Sequence, residues 1–179
     1  MAMTTTSTRG GRQRWRLIGW GGAACLLLLP LLAMRFSDEV NWTGFDFLAF
    51  ATLLLVSGGL FELALRVSGH RAYRAATALA LAAALLLVWA NAAVGIIGSE
   101  DNPTNRLFDG VLALGLVGAL IARLRAAGMV WVMRAMALAQ LAVGAVVGFA
   151  GAGQVVLLTA LYVAIWLGAA WLFGKAAAS

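Results

Sequence analysis

Six long apolar runs, separated by short polar segments, leave this chain few ways to fold. They extend from Trp15 to Met34, Phe47 to Leu65, Ala75 to Ile97, Leu107 to Ala122, Val130 to Phe149 and Val155 to Phe173. Each is near the roughly 20 residues that a helix needs to cross the hydrocarbon of a bilayer. With 63% apolar and 11% charged residues and a mean hydropathy of +0.94, the chain lies far from soluble domains, of which about 25% is charged. The expected fold is all-α, a polytopic transmembrane bundle of six helices. The fourth run is the shortest and is flanked by Asp109 and Arg123, so five helices with a re-entrant fourth segment also fit. Residues 1–14 read as a disordered cytoplasmic tail, 15–174 as one six-helix transmembrane domain, and 175–179 as a second cytoplasmic tail.

The first run follows a basic start, as in a signal peptide, but no small-x-small site follows Leu32, so it reads as an uncleaved anchor. GAAC at 22–25 has the look of a lipoprotein box with its apolar run on the wrong side of Cys25. Pro30 is expected to kink the outer end of this helix.

Charge orients the spans. With the N-terminus inside, Arg9, Arg12, Arg14, Arg16, Arg66, Arg71, Arg74, Arg123, Arg125, Arg134 and Lys175 are cytoplasmic, and only Arg35 and Arg106 lie outside. Asp38, Glu39, Asp46, Glu100, Asp101 and Asp109 partition to the outer side, with Glu62 elsewhere. Both termini are therefore expected in the cytoplasm, and the protein in a bacterial inner membrane as a multi-pass protein.

The net charge of +6 does not point to nucleic acid, because the basic residues are scattered singly and form no patch with interleaved aromatics. The lone Cys25 permits neither an intramolecular disulfide nor a CxxC motif. The single histidine, His70, rules out bis-histidine haem or histidine-rich zinc within one chain. No Ser/His/Asp set can assemble at membrane depth and no phosphate-cradling glycine loop is present. The expectation is a protein that is not an enzyme, with no cofactor and no metal site; a lipid-directed enzyme would need a carboxylate dyad, for which only loose candidates exist.

The polar residues inside the runs are the remaining candidates. Asn91, about 10 Å inside the run's outer end at Gly98 by helical rise, needs a partner: an interhelical hydrogen bond, or a place lining an outward-open cavity. Gln140, near the middle of the fifth run, reads in the same way. Glu62 precedes Arg66 by one turn and is expected to pair with it or with Arg134, the three forming a possible inner gate. The outer loops bring Asp38, Glu39, Asn41 and Asp46 on one side and Glu100, Asp101, Asn102, Asn105 and Asp109 on the other. Such oxygens suit a hard cation or cationic solute, although no spacing matches a dedicated metal loop, and Asn102 with Pro103 also reads as a plain turn.

The tryptophans fall mostly near span ends, as membrane anchors do. Small residues at four-residue spacing, Gly144, Gly148 and Ala152, and Ala76, Ala80 and Ala84, permit close helix approach within or between chains. FDFLAF at 45 and FDGVLA at 108, followed by YRAATALALA at 73 and MRAMALAQLA at 133, suggest either a duplicated helical hairpin or only shared composition.

MRFSDEVNWTGFDF at 34–47 and VWANAAVGIIGSEDNPTN at 88–105 resemble a group of small uncharacterised bacterial inner-membrane proteins with a similar FTDEVNW loop and NLAVGIIGSEDNPAN helix end. This chain departs from that pattern at Arg35, Arg106 and Leu107. The resemblance implies a membrane fold in which the two outer motifs belong together, and no activity. The function expected is a small-solute or cation permease with an acidic outer vestibule of Asp38, Glu39, Asp46, Glu100, Asp101 and Asn102 above Asn91. The alternative is a scaffold or accessory subunit that binds another membrane protein. The lipid bilayer is the one certain partner, and a homo-oligomer is possible.

Overall fold

The computed structural model describes residues 6–36, 41–93, 95–98, 102–149 and 155–179, with the backbone alone for 6–12, 93 and 149. The described residues form six α-helices and no strand: α1 (Thr6–Phe36), α2 (Gly44–Val67), α3 (Arg71–Ala93), α4 (Arg106–Ile121), α5 (Ala126–Phe149) and α6 (Val155–Ala177), with a 3-10 turn, Pro103–Asn105, leading into α4. All six are long and apolar enough to cross a membrane, including the fourth, which with its 3-10 turn runs 19 residues from Pro103 to Ile121. These helices are consistent with a multi-pass integral membrane protein.

Two expectations are corrected. Residues 6–14 are not a disordered tail but the start of α1, because arginine and glutamine propagate a helix already nucleated by the apolar run. The helix then continues through Pro30 to Phe36. The third helix ends at Ala93, not near Gly98, which leaves Asn91 in its last turn, about 3 Å from the helix end by rise. Gly95 at φ 74° and Gly98 at φ 71° take left-handed conformations that favour glycine, and the Gly95 N–H turns back to the Ala90 carbonyl at 3.1 Å. The chain divides into two compact units, Met1–Gly69 and His70–Ser179. The boundary falls inside the first of the two similar hairpins, whereas α4 and α5 share a unit.

In the first unit, glycine lets α1 and α2 approach. Gly58 faces the Trp20 ring, where an added Cβ would lie 3.0 Å away, and Gly19 faces Phe61. Trp15 packs on the same Phe61 with ring centroids 6.2 Å apart. The start of α2 explains the NWTGFDF motif. Thr43 caps the helix, its hydroxyl accepting from the Asp46 N–H at 3.3 Å while Asp46 Oδ2 accepts from the Thr43 N–H at 2.7 Å. Trp42, one residue before the cap, packs on Phe47 with centroids 5.1 Å apart. This is a capping box closed by a hydrophobic staple.

In the second unit, buried positions recur at helical spacing: Tyr73, Ala76, Ala83 and Leu87 on α3, Met129, Val132, Met133, Met136, Gln140 and Val147 on α5, and Val155, Thr159, Tyr162, Trp166, Ala169 and Phe173 on α6. Close approaches again use glycine. Gly115 and Gly118 of α4 face Met136 and Val132 of α5, and Gly144 of α5 faces Thr159 of α6. Gly144 and Gly148 thus serve contacts within the chain, and Ala152 lies outside the described residues. Side chains such as Leu157 and Leu138, exposed by 80% and 68%, would face lipid.

The turn from α4 to α5 carries a local cost. Arg123 N–H bonds Leu120 O at 3.0 Å and Leu124 N–H bonds Ala119 O at 3.1 Å, the two bonds of a Schellman cap. That cap needs a left-handed residue, and here it is Arg123 at φ 50°, followed by Leu124 at φ 57°. The Tyr73 hydroxyl of α3 donates to the Leu124 carbonyl at 2.6 Å and fixes the strained turn. Replacing Arg123 with glycine should raise stability by about 1 kcal/mol, since left-handed backbone costs other residues roughly that much. Thermal unfolding of the purified protein in detergent checks this; an unchanged or lower midpoint would remove the strain.

Candidate functional site

The connection between α3 and α4 is built from asparagines. Asn91 lies one turn after the fully buried Leu87, so it extends the inward face of α3. Its Nδ2 donates to the Asn105 carbonyl at 3.2 Å and to Asp109 Oδ1 at 3.0 Å. Asn105, only 3% exposed, accepts the Ile97 N–H with its own Oδ1 at 2.9 Å. Asn102 Oδ1 accepts the Thr104 N–H at 3.0 Å and so caps the 3-10 turn opened by Pro103. One amide thus ties the last turn of α3 to the first of α4, while the others satisfy backbone donors of the connection. Asp109 stands in the first turn of α4, where the helix dipole favours a carboxylate.

Asn91 keeps one unspent group. Its Oδ1 is buried and has no hydrogen-bond partner among the described residues. Beside it the Asp109 carboxylate and the Asn105 carbonyl each bind the same Nδ2. The cluster therefore offers several acceptor oxygens around one donor, an arrangement that can receive a hydrogen-bond donor or a positive charge.

The other expected site residues divide sharply. Asp38, Glu39, Glu100 and Asp101 lie outside the described residues. Asp46 belongs to the first unit and is committed to the α2 cap, and Asn102 to the cap of the 3-10 turn, so both have structural work already. Among the described residues no group of three or more histidine, cysteine or acidic side chains could hold a metal ion.

Of the residues expected at an inner gate, Glu62 is paired within the first unit with Arg16 of α1, Nε to Oε1 at 3.0 Å, rather than with Arg66 of its own helix. The reason is geometric: the Gly19–Phe61 and Trp15–Phe61 contacts bring that turn of α1 against the Glu62 turn of α2. Arg66 is exposed at the end of α2, and Arg134 lies over the Trp131 ring at 5.0 Å. Lys175 lies over Trp171 at 3.7 Å in the same manner, so both cations sit on aromatic rings.

Gln140 is 0% exposed, and neither Nε2 nor Oε1 has a partner among the described residues, so of its two expected roles the interhelical hydrogen bond is not seen there. Thr159 Oγ1 and Trp166 Nε1 are buried and unpartnered in the same way. The sequence offered Asn105 only as one of several outer-loop oxygens and Arg16 only as a topology charge, and it did not mark Thr159 or the Trp166 indole as polar sites. Asn105 had a signal, a second asparagine one helical turn from Asn102 and just ahead of an apolar run.

The Asn91 bonds predict a separable pair of variants. Asn91→Leu should lower stability by about 1–2 kcal/mol, through loss of two hydrogen bonds. Asp109→Asn retains an acceptor oxygen for Asn91 and should change stability by no more than about 0.5 kcal/mol. Thermal unfolding of both variants in nanodiscs decides it, and equal losses would contradict the geometry.

No protein-family model matches the chain, and neither a curated protein nor a solved structure is similar to it.

Proposed function

We propose that the protein is a small-solute permease of a bacterial inner membrane, with both termini cytoplasmic and its outer mouth at the α3–α4 connection. The observation that carries this reading is the buried Asn91 Oδ1, without a partner among the described residues and set beside the Asp109 carboxylate. A purely structural staple would be complete with the Nδ2 bonds alone; the remaining amide oxygen, buried beside a carboxylate, is an acceptor that a solute's donor can satisfy. The distribution of arginines supports the orientation, which puts Asp109 on the non-cytoplasmic side. The acceptor-rich mouth favours solutes that donate hydrogen bonds, cationic or neutral. Asp38, Glu39, Glu100 and Asp101 would add negative potential on the same side and raise the local concentration of such solutes.

The reading is tested with purified protein in liposomes, by following uptake of potassium, methylammonium, urea and glycerol. At least one should pass faster than in protein-free vesicles, and Asp109→Asn, which leaves the fold intact, should slow it by at least about tenfold, the loss of one charge-assisted contact. Absence of flux for every solute, together with a stoichiometric partner co-purifying from native membranes, would replace this reading with the scaffold one.

A further inference from the structure

We infer that the seam between α5 and α6 binds a small uncharged molecule carrying both a hydrogen-bond donor and an acceptor, held between Gln140, Thr159 and Trp166. Gln140 and Trp166 are 0% exposed and Thr159 6%, and all four of their polar atoms lack a partner among the described residues. The contacts Gly144–Thr159, Gly148–Val156 and Gly174–Val130 fix an antiparallel register between the two helices. That register puts Gln140 opposite the turn between Tyr162 and Trp166. Thr159 and Trp166 are two turns apart on one face of α6, roughly 10 Å along the axis. The three polar groups therefore occupy one short stretch of one seam, about 14 Å from the α5 end that Phe149 marks.

The packing explains why these groups cannot turn away. A Cβ at Gly144 would collide with the Thr159 hydroxyl, so the missing side chain lets that hydroxyl lie against α5. Trp166 and Gln140 are both enclosed by the buried stripes of their helices.

The chemistry of the occupant follows from what the seam presents. The indole N–H can only donate, whereas the amide and the hydroxyl can each donate and accept. A molecule, or a short row of waters, that accepts from Trp166, exchanges both kinds of bond with Gln140 and bonds the Thr159 hydroxyl satisfies the set. It must also be uncharged. The charged residues of α5 and α6 are Arg134 and Lys175, and those of α3 and α4, Arg71, Arg74, Arg106 and Asp109, all fall in the first turns of their helices. Among the described residues of the second unit no counter-charge stands at the level of Gln140, and an unpaired ion buried there would meet the full desolvation cost. Water is the smallest molecule of this class, and urea or glycerol are organic examples. The site does not depend on transport, because a seam that binds without conducting leaves it standing.

The test uses the full chain in nanodiscs of deuterated lipid, with nitrogen-15 in its three glutamine side chains and seven tryptophan indoles. Gln140→Leu and Trp166→Phe assign the two signals. If water is the occupant, the Gln140 amide and Trp166 indole protons receive magnetisation from water. If an organic solute is, both signals shift saturably with urea or glycerol. In either case Gln140→Leu, or Thr159→Val should that variant fail to fold, reduces the effect at Trp166 by at least about tenfold, the loss of one shared partner. Two results overturn the inference: neither probe reaches the two side chains and the Gln140 amide contacts Thr159 directly, or potassium shifts the signals where water, urea and glycerol do not.

Discussion

A helix end leaves backbone donors or acceptors without partners, and in hydrocarbon there is no water to supply them. The described turns of this chain meet that constraint largely with their own side chains. Thr43 and Asp46 close the start of α2, Asn102 closes the 3-10 turn, and Asn105 accepts the Ile97 N–H in the bend after α3. At the turn between α4 and α5 the backbone closes on itself through a left-handed Arg123, and Tyr73 secures the result from a third helix. Helix packing in both units depends on these ends being finished.

That economy changes the meaning of the polar residues. Asp46 and Asn102 looked like candidate ligands because they are oxygens near a membrane boundary, yet both accept backbone N–H groups two or three residues away. Glu62, a carboxylate inside a span, is answered by Arg16 across the α1–α2 contact. What remains after these pairings is a short set of buried atoms in the second unit: Asn91 Oδ1, both amide atoms of Gln140, Thr159 Oγ1 and Trp166 Nε1. These leftovers, rather than the acidic loops, are where the described residues keep polar chemistry in reserve.

The fold was largely legible in the sequence. Apolar runs of helical length, punctuated by polar turns, leave little choice of element, and all six runs became helices. Boundaries were less legible where polar residues extend a helix, as at Thr6–Arg14, or where glycine ends one inside an apolar run, as at Gly95. Pairing was least legible. Arg16 reads as a topology charge and Arg66 as the natural neighbour of Glu62, and only the close approach allowed by Gly19 reverses that choice. Asn91 was recognised as needing a partner, but its partners Asn105 and Asp109 come from the following helix start, a choice that depends on how Gly95 and Gly98 bend the chain.

The proposed outer mouth and the proposed seam both require water to reach the buried polar atoms of the second unit, at Asn91 and at Gln140. The most direct measurement is thiol labelling in membranes, with Cys25 replaced by alanine and single cysteines placed at 91, 140 and the lipid-facing Leu138. A small neutral methanethiosulfonate should modify the cysteines at 91 and 140 at least about tenfold faster than the one at 138, because only hydrated thiols ionise to the reactive thiolate. Equal rates at 140 and 138 would contradict the account.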